Sequence, residues 1–281
     1  MVIAFMHNYA HAQHFAQKIN GNVHFLNRNG MGSVPPRFIL YNFFKPLTNK
    51  EIYKQMKYIN IQKARFIDRP NRFIAHVEID GDMQVCHVKN TGRCKELLQN
   101  GCIVYLEKSN NPTRKTKYDL VAVEKDKLLV NMDSQAPNKV VKEWLEAGGL
   151  YQKPTLVYPE MKHGNSRVDF YIEDKNRKAF IEVKGVTLEN DGVAAFPDAP
   201  TQRGIKHIYH LIDAVKEGYE AYLIFIIQFK PVKYIIPNDV THPEFGKALR
   251  EAFTAGVHVL AYDCIVTPDS MQINQMIEVK L

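Results

Sequence analysis

The chain has 281 residues, 37 Lys+Arg against 30 Asp+Glu, and a formal charge of +7 at pH 7. It is 45% hydrophobic and 24% charged, with 15 Gly and 14 Pro. That excludes a collagen-like chain and argues against a mostly disordered one; the length suits one large domain or two ordinary ones. No apolar run approaches the roughly 18 residues of a membrane span. The opening MVIAFMHNYAHAQHF lacks the basic start of a signal peptide, so the expectation is a cytoplasmic protein with no membrane partner. Four cysteines, Cys86, Cys94, Cys102 and Cys264, are too sparse for a disulfide scaffold or a disulfide-linked partner, and their spacing is not that of a zinc site.

In chain order, residues 1–55 carry six basic residues and one acid, four of the eleven His, and no clean period. They are expected to be a leader of uncertain native status, flexible or added by an early start codon, with Met56 as the natural start. His7, His11 and His14 have helical spacing, but a solvated or disordered segment accounts for them better than a metal site does.

Residues 56–137 are expected to form an all-β, OB-fold-like domain. Tyr58–Phe66 is the first strand. Phe73–Ile79 alternates, Asp80-Gly81 makes a hairpin turn, and Met83–Val88 returns. Cys102–Leu106, Tyr118–Val123 and Leu128–Val130 follow. So many short strands in so few residues suggest a small barrel. Residues 56–145 hold 16 basic and 11 acidic side chains, so the barrel is the basic part of the organised chain. Residues 146–281 hold 15 basic and 18 acidic.

From about 138 the pattern becomes mixed α/β. Asn138 can cap a helix over Lys139–Ala147, stopped by Gly148-Gly149. Strands follow at Val168–Ile172 and Ala179–Lys184, then a loop over Glu189–Pro200. A helix runs from Thr201 to Gly218. Ala221–Gln228 is a continuous apolar run, as in a strand covered on both faces. A helix over Pro243–Ala255 and a strand at Val257–Ala261 complete a mixed sheet.

The strand pair Ser166–Phe170 and Ile181–Gly185 carries the most chemistry. Alternation puts Glu182 and Lys184 on one face, about 7 Å apart, with Ile181 and Val183 on the other. Asp169 lies on the adjacent strand. Two carboxylates and one ammonium can thus converge. Such a pair suits Mg or Mn, which prefers oxygen ligands, keeps several waters and can activate one of them against a phosphate. Lys184 could orient that water or offset charge in the transition state. Either Glu160, before the turn into the Asp169 strand, or Glu143, bordering the buried arc of its helix, could supply a third carboxylate. A solvated salt-bridging face is the competing reading. On the helix after Thr201, Arg203, Lys206, His207 and His210 share a polar stripe that could contact phosphate backbone or simply face solvent.

Several spaced segments then resemble the sugar fermentation stimulation protein A (SfsA) family: Phe73–Leu98, Asn165–Phe170, Ile181–Thr187, Phe196–His207 and Gly256–Tyr262. The likeness runs from about Met56 to near the C-terminus and leaves residues 1–55 outside. It implies an OB-fold domain followed by a PD-(D/E)XK nuclease-like mixed α/β domain. It also implies DNA binding of low sequence specificity, linked to regulation of sugar (maltose) metabolism. On this chain Asp169, Glu182 and Lys184 take the nuclease-like positions, and Asn90-Thr91-Gly92-Arg93 is the family's hallmark turn. Gly185 departs from the family, which often has Ser there.

The function expected is therefore DNA binding. The barrel would grip backbone through Arg72, Lys89, Asn90, Arg93, Arg114, Lys115 and Lys117, the helix stripe through Arg203, Lys206 and His207, and a Mg or Mn site would sit at Asp169 and Glu182. The alternatives are an active metal-dependent nuclease, with Asp169, Glu182 and Lys184 catalytic, and a non-catalytic adaptor for RNA or protein.

Overall fold

The computed structural model describes residues 55–281 except Thr91 and Asn165, together with two strand segments nearer the N-terminus. The expectations for residues 1–54, including His7, His11 and His14, otherwise lie outside the described residues. The chain divides into two units, Met1–Glu51 and Ile52–Leu281. In the first, β1 (Phe15–Ile19) and β2 (Asn22–Leu26) pair as an antiparallel hairpin.

The second unit begins with strands β3 (Ile61–Asn71), β4 (Ile74–Ile79), β5 (Asp82–Val88), β6 (Ile103–Lys108), β7 (Tyr118–Lys125) and β8 (Leu128–Asn131). β3 pairs antiparallel with both β4 and β6, β4 with β5, and β6 with β7. A parallel pairing of β5 with β7 closes the ring. The order 3-4-5-7-6-3 is the five-stranded Greek-key barrel of an OB fold. Its interior is set by alternation: Ala75 and Val77 on β4, Cys86 and Val88 on β5, and Val104 and Leu106 on β6 are buried. Asp80 and Gly81 have φ of 52° and 92°, the left-handed pair that a two-residue hairpin turn needs.

After the barrel come α1 (Ala136–Glu146), β9 (Leu156–Pro159), the small hairpin β10 (Lys162–His163) and β11 (Ser166–Arg167), β12 (Phe170–Asp174) and β13 (Arg177–Val186). Then follow β14 (Glu189–Asn190), β15 (Val193–Phe196), α2 (Gln202–Lys216), β16 (Glu220–Ile227), β17 (Tyr234–Pro237), α3 (Pro243–Thr254), β18 (His258–Thr267) and β19 (Ser270–Met276). The main sheet has the order β19-β18-β16-β13-β12-β9, with β13, β16 and β18 parallel. β16 is buried on both faces. Tyr222, Ile224 and Ile226 pack with Val140, Val141 and Leu145 of α1, while Leu223, Phe225 and Ile227 pack with Ile208 and Leu211 of α2.

The two halves are thus an OB barrel and a mixed α/β layer. Four details differ from expectation. The first barrel strand starts and ends later, at Ile61–Asn71. α1 starts at Ala136, with Pro137 in its first turn and no side-chain cap, so Asn138 is not its N-cap. Part of the loop over 189–200 is strand, joined with β17 in a separate three-stranded sheet. The short β9, β17 and β19 carry no pattern that had marked them.

Candidate functional site

The register Phe170↔Ile181 between β12 and β13 puts Asp169, one residue before β12, opposite Glu182 as the pairing extends. Glu182 lies in the middle of β13, paired with Leu223 of β16, and faces α2. Asp169 Oδ2 accepts from the Val183 amide at 2.8 Å, and Oδ1 accepts from Asn138 Nδ2 at 2.9 Å. Glu182 Oε1 accepts from Lys184 Nζ at 2.6 Å and is hydrogen-bonded to His207 Nδ1 of α2. Arg203, one turn earlier, donates from Nε to His207 Nε2 at 3.3 Å. The side chain of Glu182 is only 4% exposed and that of Lys184 15%.

The two carboxyl groups are tuned in opposite directions. Burial raises the pKa of Asp169, and the charge of Glu182 adds to the rise; the Val183 and Asn138 hydrogen bonds offset it only in part. Burial would raise Glu182 too, but the His207 hydrogen bond and the Lys184 charge prevail and hold it below the usual carboxylate range. Glu182 is thus the anion of the pair, and Asp169 its more readily protonated neighbour.

The other proposed carboxylates are placed differently. Glu160 is exposed and its side chain pairs with Arg167 at 3.2 Å; only its backbone amide reaches Asp169, donating to the carbonyl at 2.9 Å. Glu143 Oε2 accepts from the Met56 amide at 3.0 Å. Among the described residues no group of three His, Cys, Asp or Glu side chains is arranged to hold a metal, so the cluster offers two protein carboxylates, not three. Two hard oxygen donors with open lone pairs fit a Mg²⁺ or Mn²⁺ that keeps its remaining ligands as water.

The basic residues expected to meet DNA fall into two groups. Arg72, Arg93, Lys115, Lys117, Arg203 and Lys206 are exposed. Lys89 and Arg114 are committed within the barrel. Lys89 Nζ lies 3.5–3.7 Å from carboxylates of Glu107, Asp119 and Asp133. Arg114 grips Asp119 with both Nη atoms at 2.7–2.8 Å. Burial would raise Asp119, but Arg114 and Lys89 hold it at about 2.

Asn90 shapes the hallmark turn instead of pointing outward. Its Oδ1 accepts from the Gly92 amide at 2.8 Å. Arg69, which no motif singles out, donates to the carbonyls of Asn90, Gly92, Arg93 and Arg72 at 2.6–2.9 Å. It fastens the turn to the β3–β4 connection. Between them runs an open groove of about 690 Å³ lined by Arg69, Arg72, Arg93 and Lys95. Gly185 sits where a Cβ would be 2.6 Å from Gln228 Oε1 and 2.8 Å from Pro137 Cγ, so a Ser there requires both neighbours to yield.

Comparison with known proteins agrees with both halves. Residues 67–132 match the SfsA N-terminal OB domain, and residues 135–270 match the sugar fermentation stimulation protein RE domain. A sugar fermentation stimulation protein homolog of Ruminiclostridium cellulolyticum is 57% identical over 226 residues, covering 80% of this chain and 100% of the relative. A homolog of Clostridium beijerinckii is equally similar, at 57% over 226 residues with the same coverage. The structure of Pyrococcus furiosus SfsA in complex with Ca²⁺ superposes with a TM-score of 0.74 at 26% identity, covering 81% of this chain and 99% of that one. The chain belongs to the sugar fermentation stimulation protein family.

Proposed function

We propose that the protein binds DNA with low sequence specificity and that its nuclease-like site, Asp169 with Glu182, takes Mg²⁺ or Mn²⁺ when DNA is bound. The observation that carries this reading is the pair of carboxylates on adjoining strands, with Lys184 and His207 on Glu182. A structural neighbour described as a Ca²⁺ complex supports a hard-cation site in this fold. A bound divalent cation would polarise a phosphate oxygen and lower the pKa of its water.

The protein's own residues prepare the place. The Val183 amide and Asn138 fix the Asp169 carboxylate in one orientation, and Lys184 supplies a positive charge beside the position a phosphate would take. The exposed Arg72, Arg93 and Lys95 along the groove, with Arg203 and Lys206 on α2, give sequence-independent backbone contacts. Lys89 and Arg114 do not belong to this surface, since their charges are already met by carboxylates.

No helix among the described residues is long and apolar enough to cross a membrane. All four cysteines are free, in keeping with a reducing cytoplasm. The link to sugar (maltose) metabolism follows from the family and would act through the DNA that is bound.

The test is duplex binding at several salt concentrations, with and without Mg²⁺ or Mn²⁺, for wild type and Asp169→Ala. Tighter binding with metal in wild type, absent from Asp169→Ala, is expected. Identical binding with and without metal in both proteins rejects the metal site.

An active nuclease is the second reading, favoured by the 2.6 Å contact between Lys184 and Glu182. Cleavage of linear, circular or single-stranded substrates that is lost in Glu182→Ala and Lys184→Ala establishes it. Cleavage that persists in both variants points to a contaminant.

A further inference from the structure

A second cavity, of about 190 Å³, opens where the barrel meets the α/β half. The barrel contributes Asn90, Gly92 and Ser134 to its wall, and the α/β half contributes Gly185, Asp198 and Gln228. Gln228 is 1% exposed. Its Nε2 is spent on the Asn131 and Asp133 carbonyls and on Asn131 Oδ1, at 3.1–3.2 Å. Its Oε1 has no hydrogen-bond partner among the described residues and lies against Gly185, in the space a side chain would fill. At the other end Asp198 Oδ2 is 2.5 Å from where a Cβ of Gly92 would be. It too has no hydrogen-bond partner among the described residues.

The lining defines its own ligand. It contains no Lys or Arg, and Asp198 would repel an anion, so a phosphate is excluded. Gln228 Oε1 and the Asp198 carboxylate ask for donors. Asn90 keeps Nδ2 as a donor after its Oδ1 has capped the Gly92 amide. A hydroxyl group both donates and accepts, so it answers both kinds of partner. The Phe196 ring, backed by Phe225 and Phe245, gives one apolar wall for C–H groups. The volume is below that of sites for drug-sized ligands and suits one ring. Oε1 is not among the buried side-chain atoms left without a partner, so solvent reaches it and a ligand hydroxyl there replaces water.

We propose that this cavity binds a neutral sugar ring through adjacent hydroxyls, supplied by a free monosaccharide or by the ribose of a nucleoside. The proposal stands apart from the DNA reading and uses none of Asp169, Glu182 or Lys184. Because the wall is built from both halves, an occupant ties them together and raises the melting temperature of the protein.

The test is calorimetric titration and thermal unfolding of the full chain with four probes: glucose, ribose, adenosine and 2′,3′-dideoxyadenosine. Saturable binding of at least one hydroxylated probe is expected, with affinity reduced about tenfold in Asp198→Ala. Binding by glucose or ribose identifies the free sugar as the source. Binding by adenosine that is lost with the dideoxy compound identifies the nucleoside. Asp198 is exposed, so the variant should fold, and its unliganded melt checks this. Slower amide exchange over residues 185–188 on adding the bound probe locates the site without any substitution. If none of the four probes binds, or if Asp198→Ala binds as wild type, the proposal is wrong.

Discussion

Glu220 shows how strongly one side chain can be specified by its neighbours. It begins β16, at the end of the sheet away from the carboxylate pair. Both of its oxygens are held by Arg177 at 2.8 Å, and the Tyr222 and Tyr151 hydroxyls donate to Oε2 at 2.7 and 3.0 Å. Burial alone would raise its pKa; the Arg177 hydrogen bonds and charge and the two phenols instead hold it at about 2, from an ordinary 4.5. A carboxyl whose folded pKa is depressed stabilises the fold fully above its unfolded value and loses that contribution as pH falls toward the folded one. The window is therefore pH 4.5 down to about 2. Glu220→Gln should cost roughly 1–2 kcal/mol at neutral pH after allowance for solvent screening, with the gap from wild type closing through that window. Thermal melts at a series of pH values check it; parallel profiles for the two proteins would refute the assignment. Single residues of this kind divide sharply in how legible they are. Glu182 and Lys184 follow from strand alternation alone. Asn138 does not, because a residue fit to cap a helix is equally fit to orient a carboxylate. Lys89 and Arg114 read as free cations because their partners come from other strands or from a turn, which no local pattern reveals.

At the scale of elements, α1 is held by a fit so close that one methyl group should break it. Its Trp144 ring packs against Tyr262 of β18 at 5.0 Å between centroids. The chain then turns through Gly148, at φ +87°, and the Gly149 amide returns to the Trp144 carbonyl at 2.8 Å. The Gly149 Cα presses on the indole, so that a Cβ there would overlap it. Gly149→Ala should destabilise the protein by about 1–3 kcal/mol through overpacking. Trp144 is the chain's one tryptophan, so its fluorescence reports the displacement directly in a urea titration. An unchanged midpoint and emission maximum would show that the indole swings aside at no cost. The sequence marked this helix stop through the Gly148-Gly149 pair, but not the reason for the second glycine, which is tertiary. The same divide runs through the sheet. The β4–β5 hairpin, α2 and β16 carry long periodic or apolar runs with clear turn residues. β17 has four residues ending in Pro237, and β9 has four ending in Pro159. Pairing rather than pattern makes such segments strands.

For the molecule as a whole, charge and packing lead to different divisions. Residues 56–281 hold 31 basic and 29 acidic side chains, a net of +2, so +5 of the +7 belongs to the N-terminal segment. What distinguishes the two halves of the second unit is the sign of their charge, basic in the barrel and acidic in the α/β part. Packing does not respect that border. One continuous core runs from Val77 and Leu106 of the barrel to Phe225 and Phe245, and a second joins Val121 of β7 to Val140 of α1. Polar ties reinforce both. The Asn131 amide donates to the Gln228 carbonyl at 2.9 Å while the Gln228 side chain donates back to Asn131. Lys125 of β7 meets Glu189 of β14 at 2.6 Å. Halves that share buried apolar surface and satisfy each other's buried carbonyls cannot open separately without exposing both, so residues 52–281 should unfold as one cooperative unit. In urea, Trp144 fluorescence for the α/β half and hydrogen exchange in barrel peptides should give coincident midpoints. Gln228→Ala removes a buried donor from three acceptors, of which Asn131 Oδ1 and the Asp133 carbonyl keep the Asp133 and Ala136 amides, so the cost is about 1–3 kcal/mol. It should lower both midpoints and separate them, because the tie it cuts belongs to neither half alone. Separate midpoints in the wild-type protein would mean that the barrel and the α/β half are energetically independent despite their common core.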